Sequence, residues 1–471
     1  MSTLLDVAII GAGSAGLAAL REVSKRTRNF AIINDGPWGT TCARVGCMPS
    51  KLLIEAANVF HHRHTFDEFG IRGAAQLAVD GEAVLRRVRR LRDEFVAGTL
   101  TATAHLGERA ISGRARLLGD DRLEVDGREL RARNIILATG SRPALPDAWR
   151  AFGARVHTTD TIFEQPRLPR RLAVIGLGAI GIELAQAFSR LGARVTAFGR
   201  GDTVAGLTDP VVNAAALALL GDEFAAHFGG DARLDATSDG LRVSNGAQTI
   251  DVDQVLVASG RRPNIDGLGL ENLGVALDAR GMPAIDRGTL QVGGLRVFLA
   301  GDANGAAPLL HEAADDGYIA GVNAMQTETA CFARRAPLAI VFSEPGIAMV
   351  GQRFASLTTA TTVIGGVDFR RQGRARAGQR NHGVLRLYAD ARGGRLLGAE
   401  MCAPAAEHLA HLLALAINRA LTVHELLAMP FYHPVLEEGL RTALRDAARQ
   451  LPDADAPDLA ECGCGNNAAT E

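Results

Sequence analysis

The sequence predicts an α/β chain in which one strand, turn and helix unit occurs twice, followed by a separate α+β domain. Three observations predict this architecture. Glycine-rich turns follow apolar strands at residues 5–16 and 172–181. A second apolar strand that ends in a glycine turn closes each copy, at 134–143 and 254–263. After residue 335 the pattern changes to strands and then two amphipathic helices, which is typical of an α+β domain.

The first copy reads LDVAIIGAGSAG, a short strand that runs into G-x-G-x-x-G and then into a helix, and the second reads LAVIGLGAIG with the same spacing. The glycines of the two turns and of the two closing segments are Gly11, Gly13, Gly16, Gly176, Gly178, Gly181, Gly140 and Gly260. Glycine there permits a tight bend, close approach to a pyrophosphate and close helix packing, with the helix N-terminus facing the anion. One such turn is weak evidence, but two matched copies predict two Rossmann-like dinucleotide sites.

The segments between and after the copies have simpler patterns. Residues 51–107 predict two helices, whose basic face we interpret as a solvated surface, and residues 108–133 predict a small antiparallel meander. The stretch from Pro452 is rich in Asp, Ala and Pro and is expected to be flexible, although it carries Cys462 and Cys464.

Composition excludes several partners. Lys+Arg 51 against Asp+Glu 52 leaves no positive field for a phosphate backbone, so we expect no nucleic acid and no anionic membrane as partner. The sequence has no run of the ~20 uninterrupted apolar residues that a membrane span requires. The N-terminus lacks the basic region of a signal peptide, so we expect a cytoplasmic protein.

Two of the six cysteines, Cys42 and Cys47, stand close together in GTTCARVGCMPSK. A close pair in a cytosolic protein indicates redox chemistry or metal binding. Residues five apart in a regular helix lie roughly 140° from one another, so the pair can meet only if the helix is interrupted, which Gly46 would ease. A zinc site is the alternative, but His61, His62 and His64 show no ligand spacing, and we predict no metal site.

These motifs, with VFLAGDANG, VFSEPGIAMVG and YHPVLEEG in order, resemble the FAD-dependent pyridine nucleotide-disulfide oxidoreductases of class I over about residues 5–445. GCMPSK is nearest to dihydrolipoamide dehydrogenase, and some features resemble mercuric reductase. The resemblance implies that the first copy binds FAD, that the second binds NAD or NADP, and that the C-terminal domain forms the interface of a homodimer. It implies FAD-binding ranges 1–147 and 269–335, an NAD(P)-binding domain 148–268, a dimerisation domain 336–452 and a tail 453–471.

The resemblance also implies catalytic roles. Cys47 would face the flavin, and Cys42 would exchange with the substrate. Lys51 would lie near the flavin, paired with Glu183; the alternative is that Glu183 is an ordinary exposed helix residue. Burying either charge alone would be costly, so the pairing is physically sensible.

An acid-base group is expected at HPVLEE. By resemblance, His433 would reach the active site from the partner subunit, and Glu438 would orient its imidazole. Glu437 fits less well, because its spacing is short by one residue. A histidine at a helix start can also be a simple capping residue.

Cofactor ligands partly depart from the family pattern. Asn34 stands where an acidic residue normally binds the FAD ribose, so either Asn34 or the adjacent Asp35 would do so. Thr41 and Asp302 are the further FAD contacts that the resemblance implies, Asp302 at the ribityl chain.

The second copy favours NADP over NAD. Gly199 replaces the glutamate of NAD-preferring relatives, and the adjacent Arg200 offers a charged fork for a 2'-phosphate. The following GDTVAGLTD lacks the second arginine of glutathione reductase, and Ala179 leaves the nicotinamide pocket open.

Three alternatives remain open for the function. The best candidate is dihydrolipoamide or lipoamide, which would give a lipoyl-carrying protein as a possible partner. The second is NADPH-dependent reduction of another disulfide or of a thiophilic metal ion, since mercuric reductases also end in a cysteine pair; those enzymes, however, replace a base of the His433 type. The third is a flavin-binding subunit of a larger complex with little turnover.

Overall fold

The computed structural model describes residues 4–452 and residue 454, so Cys462 and Cys464 lie outside the described residues. The strands are β1 (Leu4–Ile10), β2 (Phe30–Asn34), β3 (Ala110–Ser112), β4 (Ala115–Leu117), β5 (Arg122–Val125), β6 (Arg128–Leu137), β7 (Ser141–Pro143), β8 (Val156–His157), β9 (Arg171–Ile175), β10 (Arg194–Phe198), β11 (Ala225–His227), β12 (Arg233–Ala236), β13 (Leu241–Ser244), β14 (Thr249–Val252), β15 (Gln254–Val257), β16 (Arg261–Pro263), β17 (Val297–Leu299), β18 (Leu338–Val341), β19 (Gly346–Gly351), β20 (Thr362–Asp368), β21 (Val384–Asp390) and β22 (Leu396–Ala403). The α-helices are α1 (Ser14–Val23), α2 (Thr41–Val45), α3 (Cys47–His61), α4 (Gly81–Thr103), α5 (Asp147–Arg150), α6 (Thr159–Ile162), α7 (Ala179–Arg190), α8 (Pro210–Gly221), α9 (Leu310–Ala324), α10 (Gly373–Ala377), α11 (Ala406–Asn418), α12 (Val423–Leu427) and α13 (Glu438–Ala448).

The first compact unit comprises Met1–Ala56, Val79–Pro169 and Gln254–Arg334. Its main sheet has the order β3-β2-β1-β6-β5-β4, and β17 also pairs with β6. β1 is parallel to β2 and β6, whereas β4, β5 and β6 form an antiparallel meander. The long strand β6 therefore joins the first predicted repeat to the predicted meander. β7 pairs with β16 and β8 with β15, two short pairings that the sequence did not indicate.

Apolar residues cover both faces of β1, as a buried parallel strand requires. Val7 and Ile9 belong to the core on the side of α1 and α9, and Ala8 and Ile10 belong to the core on the meander side. Helix α9 lies directly on α1 because it presents glycine there: a Cβ on Gly317 would lie 2.1 Å from the Ala15 carbonyl oxygen. This close packing fixes the helix that follows the first glycine turn.

The second compact unit comprises Ala57–Ala78, Arg170–Asp253 and Arg335–Glu471. In it β9, β10 and β11 are parallel, and β12, β13 and β14 form an antiparallel meander. The C-terminal region is an antiparallel sheet in the order β18-β19-β22-β21-β20, with α11 and α13 packed on it around a fully buried core that includes Leu385, Leu409 and Leu440. The predicted fold class, two Rossmann-like regions and an α+β domain, is confirmed.

Two buried carboxylates hold the loop after β10 against this C-terminal sheet. Glu400 is 0% exposed and accepts backbone N–H groups of Thr208 at 2.7 Å and Asp209 at 3.0 Å. Asp209 caps α8, accepts the hydroxyl of buried Tyr388 at 2.9 Å and pairs with Arg386. Burial alone would raise the pKa of Glu400, but these hydrogen bonds hold it below its usual value.

No helix among the described residues combines the length and apolar composition needed to cross a bilayer. The five domain ranges given above stay a prediction.

Candidate active site

The first glycine turn is fixed by sterics at two of its three glycines. Gly11 has φ +108°, and a Cβ on it would lie 2.2 Å from the Ala138 carbonyl oxygen. A Cβ on Gly16 would lie 1.9 Å from the Gly11 carbonyl oxygen. No other residue fits these positions without moving the backbone.

Gly13 differs, because no atom lies within 4 Å of where its Cβ would be. Gly13 is the N-cap of α1, a ten-residue helix, and no side chain caps its N–H groups. An open backbone at a helix N-terminus suits a pyrophosphate group. The first turn therefore fits the diphosphate of FAD.

The end of β2 is tied back to this turn. Asn34 Oδ1 accepts the Ala12 N–H at 3.1 Å, and its amide donates to the Gly36 carbonyl at 3.0 Å. Asp35 beside it is exposed. Which of Asn34 and Asp35 binds a ribose stays a prediction, but Asp35 has the carboxylate that is open to solvent.

Asp302 lies in a polar cluster that sequence reasoning only partly found. Its Oδ2 accepts the Ser141 hydroxyl at 2.6 Å, and Arg261 Nε donates to the same hydroxyl at 2.7 Å. Ser141 and Arg261 follow Gly140 and Gly260 directly, so the closing glycine turns, with φ of +70° and +119°, bring these side chains together. Their place after each matching turn was the signal that could have identified them.

A buried aspartate supports the Asp302 loop and was also missed. Asp316 on α9 is 2% exposed and accepts the Gly301 N–H at 2.9 Å and the Asn304 amide at 2.6 Å. Its other oxygen pairs with Arg334 at 2.7 Å. Asp316 thus holds the Gly301 backbone on one side of Asp302 and the Asn304 side chain on the other.

The two cysteines stand on either side of a helix break, as predicted. Helix α2 ends at Val45, Gly46 is non-helical, and α3 begins at Cys47. A Cβ on Gly46 would lie 3.2 Å from the Cys42 Cα, so glycine allows the two segments to approach. Thr41 is the exposed first residue of α2.

The two cysteine side chains are hydrogen-bonded to each other. This bond, with burial, raises the pKa of Cys42 well above its usual value, and the Lys51 ammonium opposes the rise. Cys47 is exposed at the N-terminus of a fifteen-residue helix, where the helix dipole favours a thiolate. The pair therefore consists of one partly buried, protonated thiol beside one accessible sulfur.

The second glycine turn repeats the first. Gly176 has φ +104° and donates its N–H to the Phe198 carbonyl at 2.8 Å, Gly178 caps α7 with open space at its Cβ position, and Gly181 is buried in α7. These residues fit a second dinucleotide. Glu183 on α7 is 5% exposed and accepts the Phe342 N–H at 3.0 Å, so the alternative of an exposed helix residue is wrong. Its pairing with Lys51 stays a prediction.

The end of β10 carries the residues expected to read the nicotinamide cofactor's 2' position. A Cβ on Gly199 would lie 2.9 Å from the Phe228 ring, so a glutamate does not fit there without movement. Arg200 Nε donates to Asp231 at 2.8 Å, and both side chains are exposed. Sequence reasoning missed Asp231.

His433 and Glu438 meet as predicted. The imidazole Nδ1 lies 2.9 Å from the Glu438 carboxylate, and this hydrogen bond holds the pKa of Glu438 below its usual value. Glu438 is the first residue of α13 and also accepts the Val435 N–H at 3.3 Å. Glu437 is the N-cap and makes no side-chain cap bond, so Glu438 rather than Glu437 orients the histidine.

The three histidines of HHRH do not form a metal site. Among the described residues no group of three or more His, Cys, Asp or Glu side chains could hold a metal ion. His62 instead lies 3.3 Å from Glu344.

Comparisons with family models and with known proteins all point to one family. Residues 5–317 match the family model described as pyridine nucleotide-disulphide oxidoreductase, and residues 338–444 match the dimerisation domain of the same description, which indicates a homodimer. The chain is 32% identical over 467 residues to a mercuric reductase of Acidithiobacillus ferrooxidans, covering 95% of this chain and 83% of that relative. It is 30% identical over 452 residues to a dihydrolipoyl dehydrogenase of Bacillus subtilis, covering 93% of this chain and 98% of that relative.

Solved structures agree on the fold. LpdA from Mycobacterium tuberculosis superimposes with a TM-score of 0.82 at 25% identity, over 93% of this chain and 98% of that one. The HOCl-induced flavoprotein disulfide reductase RclA from Escherichia coli, as a Cu(II) complex, gives a TM-score of 0.82 at 21% identity, over 94% of this chain and 99% of that one, which supports the fold alone.

Proposed function

Because the chain belongs to the pyridine nucleotide-disulphide oxidoreductase family, whose members use FAD and NAD(P)H, we propose that it moves two electrons between a dithiol or disulfide substrate and NAD(P). The substrate pair we favour is dihydrolipoamide and lipoamide. The single observation that carries this proposal is the hydrogen bond between His433 and Glu438. Exchange between thiols and disulfides needs an accessible acid-base group, and an exposed imidazole held by a carboxylate is such a group.

The exchange can be written with the chain's own residues. A substrate thiol gives its proton to His433, and the thiolate attacks Sγ of Cys42 in the Cys42–Cys47 disulfide. The bond within the pair breaks, and its electron pair stays on Cys47. The second thiol of the substrate then attacks the substrate sulfur that is bonded to Cys42, which releases Cys42. The proton of this second thiol passes to Cys42, whose raised pKa favours the thiol form. The substrate has lost two electrons and the cysteine pair has gained two.

His433 serves the cysteine pair of the other subunit in the homodimer. Its side chain is 79% exposed in a single chain, which leaves the imidazole open to a second copy. Glu438 is the positioning residue, because it touches only the imidazole and the neighbouring backbone.

FAD, when bound at the first glycine turn, supplies two-electron transfer between the nicotinamide and the cysteine pair. Gly13 leaves room for its diphosphate, and Asp302 would hold its ribityl chain with support from Ser141 and Asp316. The proposed partner of Lys51 is Glu183, whose burial favours a paired charge.

NADP is the nicotinamide cofactor that we favour. Phe228 closes the space beside Gly199, so a glutamate does not fit at this position. No carboxylate there repels a 2'-phosphate. Arg200 is exposed and paired only at the surface, where an ion pair is weak and readily exchanged for a phosphate.

A second candidate is reduction of a thiophilic metal ion, favoured by the 32% identity to mercuric reductases. That chemistry gives no use to the His433–Glu438 pair, which is why a disulfide substrate is preferred.

The test is an anaerobic titration of the yellow protein with NADH, NADPH and dihydrolipoamide, followed by steady-state assays with lipoamide, glutathione disulfide and Hg(II). We expect dihydrolipoamide to produce the long-wavelength absorbance of a thiolate beside oxidised flavin, and lipoamide to support turnover. If lipoamide supports no turnover with either nicotinamide, the substrate assignment is wrong; if Hg(II) alone does, the second candidate replaces it.

A further inference from the structure

An arginine-rich segment lies in the C-terminal sheet domain, at residues 368–382. It reads DFRRQGRARAGQRNH and contains five arginines and one aspartate, in a chain whose formal net charge is -1. Like charges so concentrated cost stability through mutual repulsion. Their presence calls for a use that the exchange chemistry above does not supply.

The segment is anchored by apolar residues and presents its charges to solvent. Phe369 and Ala375 are fully buried, while all five arginines are exposed. Arg370 pairs with Asp368 at 2.8 Å. The other four make no ion pair with any described residue: Arg371, Arg374, Arg376 and Arg380.

The same segment is attached to the turn that carries His433. Gln372 donates to the Val435 carbonyl at 2.7 Å and caps α10 through the Ala375 N–H at 2.6 Å. The Val435 N–H in turn bonds to Glu438, the partner of His433. A Cβ on Gly439 would lie 2.6 Å from the Phe369 ring, so the segment also packs on the start of α13.

Three carboxylates of this region, Glu438, Asp368 and Asp446, already have partners. Glu438 is bonded to the imidazole and Asp368 to Arg370. Asp446 accepts the Gly366 N–H at 2.9 Å. Arg441 adds a further positive charge over the Phe431 ring. The segment that is joined to the His433 turn therefore carries a net positive charge, whose field extends over about one Debye length, ~10 Å at 0.1 M salt.

We propose that the arginine-rich segment is an electrostatic rim of the His433 site that selects disulfide substrates carrying carboxylates. This inference rests on the proposed disulfide chemistry and ranks its substrates by charge, so a disulfide that carries carboxylates would react faster than neutral lipoamide. Positive potential beside His433 raises the local concentration and association rate of anions, and lowers those of cations. Arg371, Arg374, Arg376 and Arg380 are specificity residues in this sense and take no part in the exchange itself.

The test uses three small disulfides of one scaffold: 3,3'-dithiodipropionate, which is doubly negative, bis(2-hydroxyethyl) disulfide, which is neutral, and cystamine, which is doubly positive. For the FAD-loaded wild type at low salt we expect kcat/KM to fall by about tenfold or more from the anionic to the cationic compound, and the preference to shrink with added NaCl. Arg371→Gln with Arg376→Gln should reduce the preference about three- to tenfold, with the neutral compound unaffected.

Two matched variants complete the design. Arg371→Lys with Arg376→Lys keeps the charge and should keep the preference. Arg392→Gln with Arg395→Gln removes the same charge from the turn at the opposite end of β21. This turn is roughly 20 Å from the arginine-rich segment by the length of the strand, so the charge preference should not change. If kcat/KM in the wild type is equal for the three compounds, this inference is wrong and the proposed function is unaffected. The same holds if Arg371→Gln with Arg376→Gln leaves the preference unchanged. Absence of turnover with all three compounds, while lipoamide is turned over, also overturns this inference alone. Absence of turnover with lipoamide and with all three compounds overturns the proposed function and this inference with it.

Discussion

The imidazole Nδ1 of His433 lies 2.9 Å from the Glu438 carboxylate, while the rest of the imidazole is open to solvent. Glu438 is fixed by its place at the first turn of α13 and by the Val435 N–H. One ring nitrogen is thus bound to the protein, and the other is available to a substrate. This is the arrangement of a general base with its orienting group.

Glu438→Gln should lower kcat for disulfide exchange by about 10²-fold, because the protonated imidazole loses the carboxylate that stabilises and orients it. Since the pKa of Glu438 lies below its usual value, the wild-type contact is present at neutral pH and is lost only as pH falls through that lowered value. Glu437→Gln is the matched control, and an equal effect of both substitutions would contradict the assignment of Glu438.

Cys47→Ser should lower the pKa of Cys42 and speed its alkylation. The hydrogen bond that the Cys42 thiol donates to Cys47 is the main cause of the raised Cys42 pKa, with burial second. Measured against pH with iodoacetamide, the midpoint of the Cys42 reaction should shift down by at least about one pH unit. Cys331→Ser, at an exposed cysteine elsewhere, should leave the profile unchanged. A Cys42 midpoint that does not move would show that burial alone sets it.

Much of the site could be predicted from local spacing. The helix break at Gly46, the tight turns at the glycines and the five-residue step from His433 to Glu438 are all encoded within a few residues. Ser141, Arg261, Asp316 and Asp231 were missed because their partners are 12 to 161 residues away in the sequence. The short pairings of β7 with β16 and β8 with β15 were missed because two or three residues carry no periodic pattern.

Asp231→Asn should raise kcat/KM for NADPH by several-fold, because it frees Arg200 and removes a negative charge from the expected 2'-phosphate position. Arg200→Gln should lower the same constant by about tenfold and leave NADH little changed. The ratio of the two kcat/KM values, measured with one disulfide, is the readout. If Arg200→Gln affects both cofactors equally, Arg200 does not read the 2' position.

Glu400→Gln should lower the free energy of unfolding at pH 7 by about 3 kcal/mol, since buried donors lose a charged acceptor. The hydrogen bonds that keep its pKa low stabilise the fold above the usual glutamate pKa, and this stability is lost as pH falls through the lowered value. Urea unfolding should therefore depend less on acid pH in the variant. Glu407→Gln, at an exposed carboxylate, should change neither the free energy nor its pH dependence.

Gly317→Ala tests whether the packing of α9 on α1 holds the first glycine turn. The added Cβ would lie 2.1 Å from the Ala15 carbonyl oxygen, so the helices must separate, at a cost of about 1–3 kcal/mol in the free energy of unfolding. Because α1 begins at that turn, we also expect weaker retention of FAD, measured as flavin released on dialysis.

Gly98→Ala is the matched control, since no atom lies within 4 Å of its Cβ position and α4 continues through it. There alanine should stabilise the helix by up to about 1 kcal/mol. Equal flavin retention in both variants would mean that the α1–α9 contact supports the fold without positioning the turn.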